Sequence, residues 1–390
     1  MDTRARILLE KLLFAGQKHL AGVRSRSASL TDASLASYRK EKSLRAKEAF
    51  EDTMKAAQAE KAIDITWDRR PGYDGFIARI DLHDVKRLAK FLGKIPYEDI
   101  LEDAKRNLSG FKGKYPVLLE VIDRWVLLKR VRALGPESVH DLLDAITVIE
   151  RIQDTDKTTA VSLPIREMSA RLFKNSKRIE ALSGPLDVLL SGSIESEIRD
   201  SAAVWQELGL FREEQPVRLA GNVLVERERV IAYLDAPYAG FPADTIKRLV
   251  DIPDMILTIE NQTTFHSEAR KRCNERVLLV YTAGMPSPAW RAMYVRLLKG
   301  VPSNVPVYHW GDIDEGGFRI AARLAQDANT AGHTLRPWKM HPKDIPEDQK
   351  RKATVNTLDR IRYFAVSAGW QNLGEEIAAA GFTVEQEGLQ

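Results

Sequence analysis

Four short apolar runs between residues 254 and 339 constrain this chain more than any other feature: DMILTIEN (254–261), RVLLVYT (276–282), VPVYHW (305–310) and HTLRPWK (333–339). Each reads as a strand, and helical stretches near 264–273, 287–299 and 315–329 lie between them. That alternation predicts βαβ units and a largely parallel sheet from about residue 241 onward. In an open parallel sheet, functional groups gather beyond the carboxyl ends of the strands.

The preceding residues have a different texture. Helical periodicity over 5–21 and 43–62 leads into IDITWDRRPGYDGFIARIDL, read as two strands around a turn, with Ile63, Ile65 and Trp67 alternating against Phe76, Ala78 and Ile80. Helices followed by a hairpin are the order of a winged helix, which docks on DNA or on protein. From about 83 to 153 the pattern is helical, punctuated by Gly and Pro, and reads as an arm or connector. TTAVSLPIREMSARLFKNSKRIEAL then gives two short helices around a Lys-Asn-Ser turn, with PVRLAG, NVLVERE and RVIAYLD as the wing of that second module. Arg166, Arg171, Lys174, Lys177 and Arg178 are spaced to follow a phosphate backbone. A solvated helix face is the competing reading.

At 390 residues and 44% hydrophobic content the chain supports two or three cores. Its one cysteine, Cys273, excludes an intrachain disulfide and a four-cysteine zinc site. This fits a reducing cytoplasm, and Cys273 itself reads as a core residue. No apolar run approaches the roughly 18 to 20 residues that span a bilayer. The stretch MDTRARILLEKLLFAGQKHL is charged and amphipathic rather than signal-like. A cytoplasmic protein with no membrane partner is expected. The net charge of +4 is too mild to identify a polyanionic partner alone.

The chemistry concentrates where strands end. Glu260 closes the first run, and Asp312 and Asp314 follow the third in VPVYHWGDIDEGGFRIAARLA. In near-extended backbone the two aspartates point the same way, and Gly316 and Gly317 allow a sharp turn into the next helix. Carboxylates without His or Cys neighbours favour hard cations. Mg²⁺ (or Mn²⁺) commonly takes one or two of them and completes its shell with water and phosphate oxygens. Such an ion polarises a phosphodiester while Glu260 serves proton transfer. The competing structural reading has Asp314 capping the helix and Asp312 shaping the turn. His266 and His309 read as phosphate contacts or hydrogen-bonded structural residues, and Glu385 and Glu387 as part of the acidic site or a solvated tail.

TIENQTTF followed by GDIDEGGFRIA resembles a Toprim domain, and its Gly and aliphatic continuation resembles the A subunit of topoisomerase VI and its meiotic break-forming relatives. With SARLFKNSKRIEAL and EQEG added, the chain is most similar to the JetD family, the nuclease subunits of Wadjet anti-plasmid systems. The resemblance implies a multidomain α+β and α/β chain. Its parts are an N-terminal winged helix (1–82), a helical arm (83–155), a central CAP-like winged helix (156–240) and a C-terminal Toprim α/β domain with a parallel sheet (241–390). It makes Glu260 the Toprim glutamate and Asp312 and Asp314 the metal aspartates. Glu315 stands where the topoisomerase pattern often has Pro.

Double-stranded plasmid DNA is the implied substrate, and an SMC-like ATPase, a kleisin and a kleisin-associated subunit the implied partners, with the N-terminal module docking on them. The sequence has no G-x-x-x-x-G-K-[ST] loop of its own. A homodimer matches the two-fold geometry of duplex DNA. Three functions stay open: a metal-dependent endonuclease, a transesterase acting through Tyr233 or Tyr238, and a non-catalytic DNA-binding assembly subunit. Neither tyrosine has an obvious nucleophile context, which favours water as the attacking group.

Overall fold

The structure, a computed structural model, describes residues 1–23, 26, 28–70, 75–156, 163–213 and 215–384. They fall into two compact units, Met1–Leu143 and Asp144–Gln390. Mixed α/β structure is found, with both parallel and antiparallel strand pairs.

In the first unit α1 (Thr3–Leu20) begins where Asp2 accepts the amides of Arg4 and Ala5, satisfying two donors that the first turn leaves open. Strand β1 (Ser29–Leu30) and a single turn, α2 (Ala36–Arg39), lead to α3 (Leu44–Ala59), capped by Ser43. The expected hairpin follows as β2 (Ile63–Trp67) and β3 (Ile77–Leu82), and β1 completes an antiparallel sheet in the order β1-β3-β2. Leu9, Leu12, Phe50 and Met54 form one core with Ile63, Ile77 and Ile80.

The expected inward set of Phe76, Ala78 and Ile80 is corrected by a bulge. Trp67 faces Ile77 whereas Thr66 faces Arg79, so Ala78 is an extra residue that changes the phase. Ile77 is therefore the one buried with Ile80. The remaining helices, α4 (Val85–Phe91), α5 (Tyr97–Leu108), α6 (Val117–Val126) and α7 (Val139–Asp156), fall where the periodicity places them.

In the second unit α8 (Ile165–Phe173) and α9 (Arg178–Ala181) flank the Lys-Asn-Ser turn. Buried Ser169 fixes that turn, its hydroxyl donating to the Asn175 carbonyl and accepting the Ile179 amide at 3.1 Å. Helices α10 (Ser183–Ser191) and α11 (Ser201–Glu207) follow. Two short strands, β4 (Leu163–Pro164) and β5 (Leu210–Phe211), pair in parallel.

The six-stranded sheet is built from β6 (Val217–Ala220), β9 (Ala239–Phe241), β11 (Met255–Ile259), β12 (Val277–Tyr281), β13 (Val307–Trp310) and β14 (Leu335–Pro337). Its order is β14-β13-β11-β12-β6-β9, and the first four strands of that order are parallel. Strands β7 (Leu224–Arg227), β8 (Ile231–Tyr233) and β10 (Ile246–Leu249) form a separate antiparallel sheet, β10-β7-β8. The segment PVRLAG is thus not part of a wing. Val217, Leu219 and Ala220 are buried as β6 runs antiparallel to β12. The turn after it needs Gly221 (φ +109°), because a Cβ there would stand 1.9 Å from the Val277 carbonyl oxygen.

Strands β11 and β12 are buried almost throughout, as strands covered on both faces must be. Helices α12 (Gln262–Lys271), α13 (Pro288–Lys299) and α14 (Glu315–Thr330) alternate with them, and Arg291 of α13 grips Asp327 of α14 with two hydrogen bonds of 2.7 Å. Helices α15 (Val355–Ser367) and α16 (Gln371–Ala380) follow, and the Trp370 indole donates to the Leu335 carbonyl. Val384 then exchanges two backbone hydrogen bonds with Ile313, the residue between the two aspartates, at 2.8 and 3.0 Å. Among the described residues no helix is long and apolar enough to cross a membrane.

Candidate functional site

The parallel pairing of β11 with β13 brings their ends side by side, and the Glu260 amide extends the ladder by donating to the Trp310 carbonyl at 3.0 Å. One step further the Asp312 amide donates to the Glu260 carboxylate at 3.2 Å. The loop after β13 alternates as an extended segment should: Ile313 is buried, whereas Asp312 and Asp314 keep partial access to water. Gly311 is confined by its neighbours. A Cβ there would lie 2.7 Å from both Glu260 Oε2 and His309 Nε2.

The capping reading of Asp314 is met in the structure. Its Oδ1 accepts the Gly317 amide at 2.7 Å and so caps α14, while its charge still reaches Glu260. Burial first, then Asp312 and Asp314, push the Glu260 carboxyl well above the usual carboxylate range. This like-charge crowding is the observation that favours a cation. Among the described residues, however, no three His, Cys, Asp or Glu side chains are arranged to hold a metal ion together. A hard ion fits here only by taking one or two carboxylates and completing its shell with water or phosphate oxygens.

Glu315 has a different role. It is buried in α14, with Arg319 at 2.7 Å and Arg360 at 3.3 Å, and it accepts the Glu197 amide. Burial alone would raise its carboxyl, but Arg319 and the Glu197 amide hold it below the usual range. Glu197, on the exposed loop after α10, was missed by sequence reasoning. Burial, then Asp314 and Glu315, raise its carboxyl, which places it within electrostatic reach of the acidic loop. No local sequence signal marks it, because only the fold brings that loop to α14.

His309 is structural rather than a surface phosphate contact. It is fully buried, with Nδ1 2.9 Å from the Thr258 hydroxyl, which also lies 3.1 Å from the Tyr308 carbonyl. The carbonyl can only accept, so the hydroxyl donates to it and accepts a hydrogen bond from Nδ1–H, leaving Nε2 with a bare lone pair. Burial pushes this imidazole down to about 3. It stays neutral in the fold but charges in the unfolded chain below about 6.5, so its contribution is full above that pH and is lost as pH falls towards the folded value. The unfolding free-energy advantage of wild type over His309→Gln should shrink between pH 6.5 and 4, by up to about 1.4 kcal/mol per pH unit. Denaturant titrations at several pH values test this, and a constant difference would refute it.

His266, on α12, is half-buried and stacks on Tyr238 with ring centroids 5.0 Å apart. Tyr238 also meets Phe265 edge-on, whereas Tyr233 is 60% exposed on β8. Of the expected DNA-binding residues, Arg166 is paired with Glu180, Arg171 with Glu167 and Arg178 with Asp144. Lys174 and Lys177 are exposed and have no carboxylate partner among the described residues. Cys273 is only half-buried, just past the end of α12, which corrects its assignment to the core. Glu385 and Glu387 lie outside the described residues.

The span that carries this loop is also the one that known proteins match. A family model described as Wadjet protein JetD, C-terminal, matches residues 213–390. A curated relative, Wadjet protein JetD of Bacillus cereus (strain Q1), is 30% identical over 189 residues. The match takes in 46% of this chain and 43% of the relative, so the chain spans less than half the length of that relative. The matched span contains Glu260, Asp312 and Asp314, and over residues 213–390 the chain is similar to the C-terminal part of Wadjet protein JetD.

Proposed function

We propose that this chain is a metal-dependent DNA endonuclease subunit, hydrolysing plasmid DNA at a Toprim-type site within a Wadjet complex. The reading is supported above all by the meeting of Glu260 with the Asp312–Asp314 loop at the carboxyl ends of adjacent parallel strands. Mg²⁺ or Mn²⁺ at these carboxylates would supply the Lewis acid for a phosphodiester. Asp312 and Asp314 would supply the oxygen ligands, and Glu260, once deprotonated, would take the proton of the attacking water. The family match supports a Wadjet setting; in that setting an SMC-like ATPase, a kleisin and a kleisin-associated subunit would be the partners, and two copies of this chain would face the two strands.

The test is supercoiled plasmid incubated with the full chain and Mg²⁺ or Mn²⁺, alone and with its partner subunits. Linear product that disappears in EDTA is expected, with ends that stay in the aqueous phase on phenol extraction without protease. Protein-bound ends, lost in Tyr233→Phe or Tyr238→Phe, would replace hydrolysis by transesterification. No cutting under any of these conditions would leave a non-catalytic subunit.

A further inference from the structure

Arg218, on β6, sits across from the end of β12: the register of Leu219 with Val280 continues to Arg218 and Tyr281, and the guanidinium lies over the Tyr281 ring at 5.3 Å. Tyr281 is itself paired with Ile259, the residue before Glu260. Arg218 therefore stands at the same end of the sheet as Glu260, two strands away. That is roughly 10 Å at the usual strand spacing, about three base steps of a duplex strand at ~3.4 Å each.

Arg218 faces another basic element. Its Nη1 is 3.5 Å from His266 Nε2, and Arg270, one turn further along α12, donates to the His266 carbonyl at 3.2 Å. Among the described residues neither guanidinium has a carboxylate within ion-pair distance. The contrast with Arg166, Arg171 and Arg178, each neutralised by a carboxylate, is direct. Burial, then Arg218 and Arg270, push the His266 imidazole down, so positive charge is crowded around this ring. Thr263 and Ser267 share an open hollow on α12 with His266 and Arg270 and add hydroxyl donors, and Lys271, 3.9 Å from Glu268, borders it. Tyr238, stacked 3° from parallel on His266, fixes the ring between the two arginines.

We propose that Arg218, His266 and Arg270 form a phosphate subsite that holds the DNA backbone beside the acidic loop. The inference rests on the endonuclease reading and names the surface that grips the substrate. Bidentate guanidinium donors suit a phosphodiester, and Arg270 in the hollow and Arg218 beside His266 give up no ion pair among the described residues to bind it. The basic face of α8 and α9 is less suited, since three of its five cations are already neutralised.

The full chain is tested by fluorescence anisotropy on a labelled duplex in EDTA, across a salt series. Arg218→Gln with Arg270→Gln should weaken duplex binding about tenfold or more and make the slope of log K against log salt shallower by about two, one per lost phosphate contact. Arg270→Gln alone should lower the slope by about one and, being on an exposed side chain, leave the thermal midpoint unchanged. Arg218→Lys, which keeps the charge, should retain the slope. Wild-type binding that ignores both substitutions overturns the subsite and leaves the endonuclease reading standing. A wild type that neither binds duplex nor cuts it overturns both. Full duplex binding with loss of capture by the partner subunits would assign the hollow to an acidic protein surface instead.

Discussion

Asp312→Ala is expected to remove metal-dependent plasmid cleavage, with Glu260→Ala and Asp314→Ala doing the same. Loss of one charge-stabilising contact costs roughly 10² to 10³ in rate, and loss of the ion costs more. The three variants should part company in stability. Asp312→Ala relieves the crowding that raises the Glu260 carboxyl, so its metal-free thermal midpoint should not fall. Asp314→Ala also removes the cap of α14, which is worth about 0.5 to 2 kcal/mol, and its midpoint should drop. Asp314→Asn separates the two roles, because asparagine caps nearly as well as aspartate but carries no charge. It should be as stable as wild type and inactive. Full cleavage by Asp314→Asn, measured beside its melting curve, would show that this side chain is only a cap.

Gly317→Ala should damage fold and activity together. A Cβ at that position would stand 2.1 Å from the Asp312 carbonyl oxygen, 2.9 Å from its carbonyl carbon and 3.0 Å from its amide nitrogen. Every one of those atoms is backbone, so the helix and the aspartate loop cannot both stay in place. Overpacking of this kind costs about 1 to 3 kcal/mol and occasionally more, and the displacement moves Asp312 itself. Gly316→Ala is the control, since its Cβ would meet only Asp314 Oδ1, a side-chain atom, at 3.3 Å. Calorimetry should separate the two by several degrees, and equal midpoints with equal cleavage would refute the account.

Much of this was legible in the sequence because it is local. Strand-terminal Glu260 and the two aspartates announce themselves by ending apolar runs, and parallel strands carry those ends to one edge. The Gly-Gly pair was read as turn chemistry, yet only coordinates reveal that Gly317 is enforced by the Asp312 backbone. The bulge at Thr66 was invisible because two-residue alternation presumes an unbroken register. Strand β6 reads equally well as a wing strand or a sheet strand, since an antiparallel partner leaves no mark on its own sequence. Glu197 and Arg218 reach the site from segments remote in the chain. Basic residues are dense in sequence at 166–178, but density also supplies carboxylate neighbours, so Arg166 and Arg178 are paired there while Arg218 is left to face His266.

The paired hydrogen bonds between Ile313 and Val384 also bear on the order in which the molecule assembles. The peptide carrying both aspartates is clamped by a segment that reaches it only after α14, β14, α15 and α16 have found their places. Contacts of such long sequence separation form late, because the closure of the intervening loop must precede any gain from them. A partly folded or newly made chain therefore has the acidic residues without the clamp that sets their backbone. Timing of assembly becomes a safeguard in its own right: on the endonuclease reading, cutting competence arrives as one of the last events of folding rather than with the first appearance of the motif.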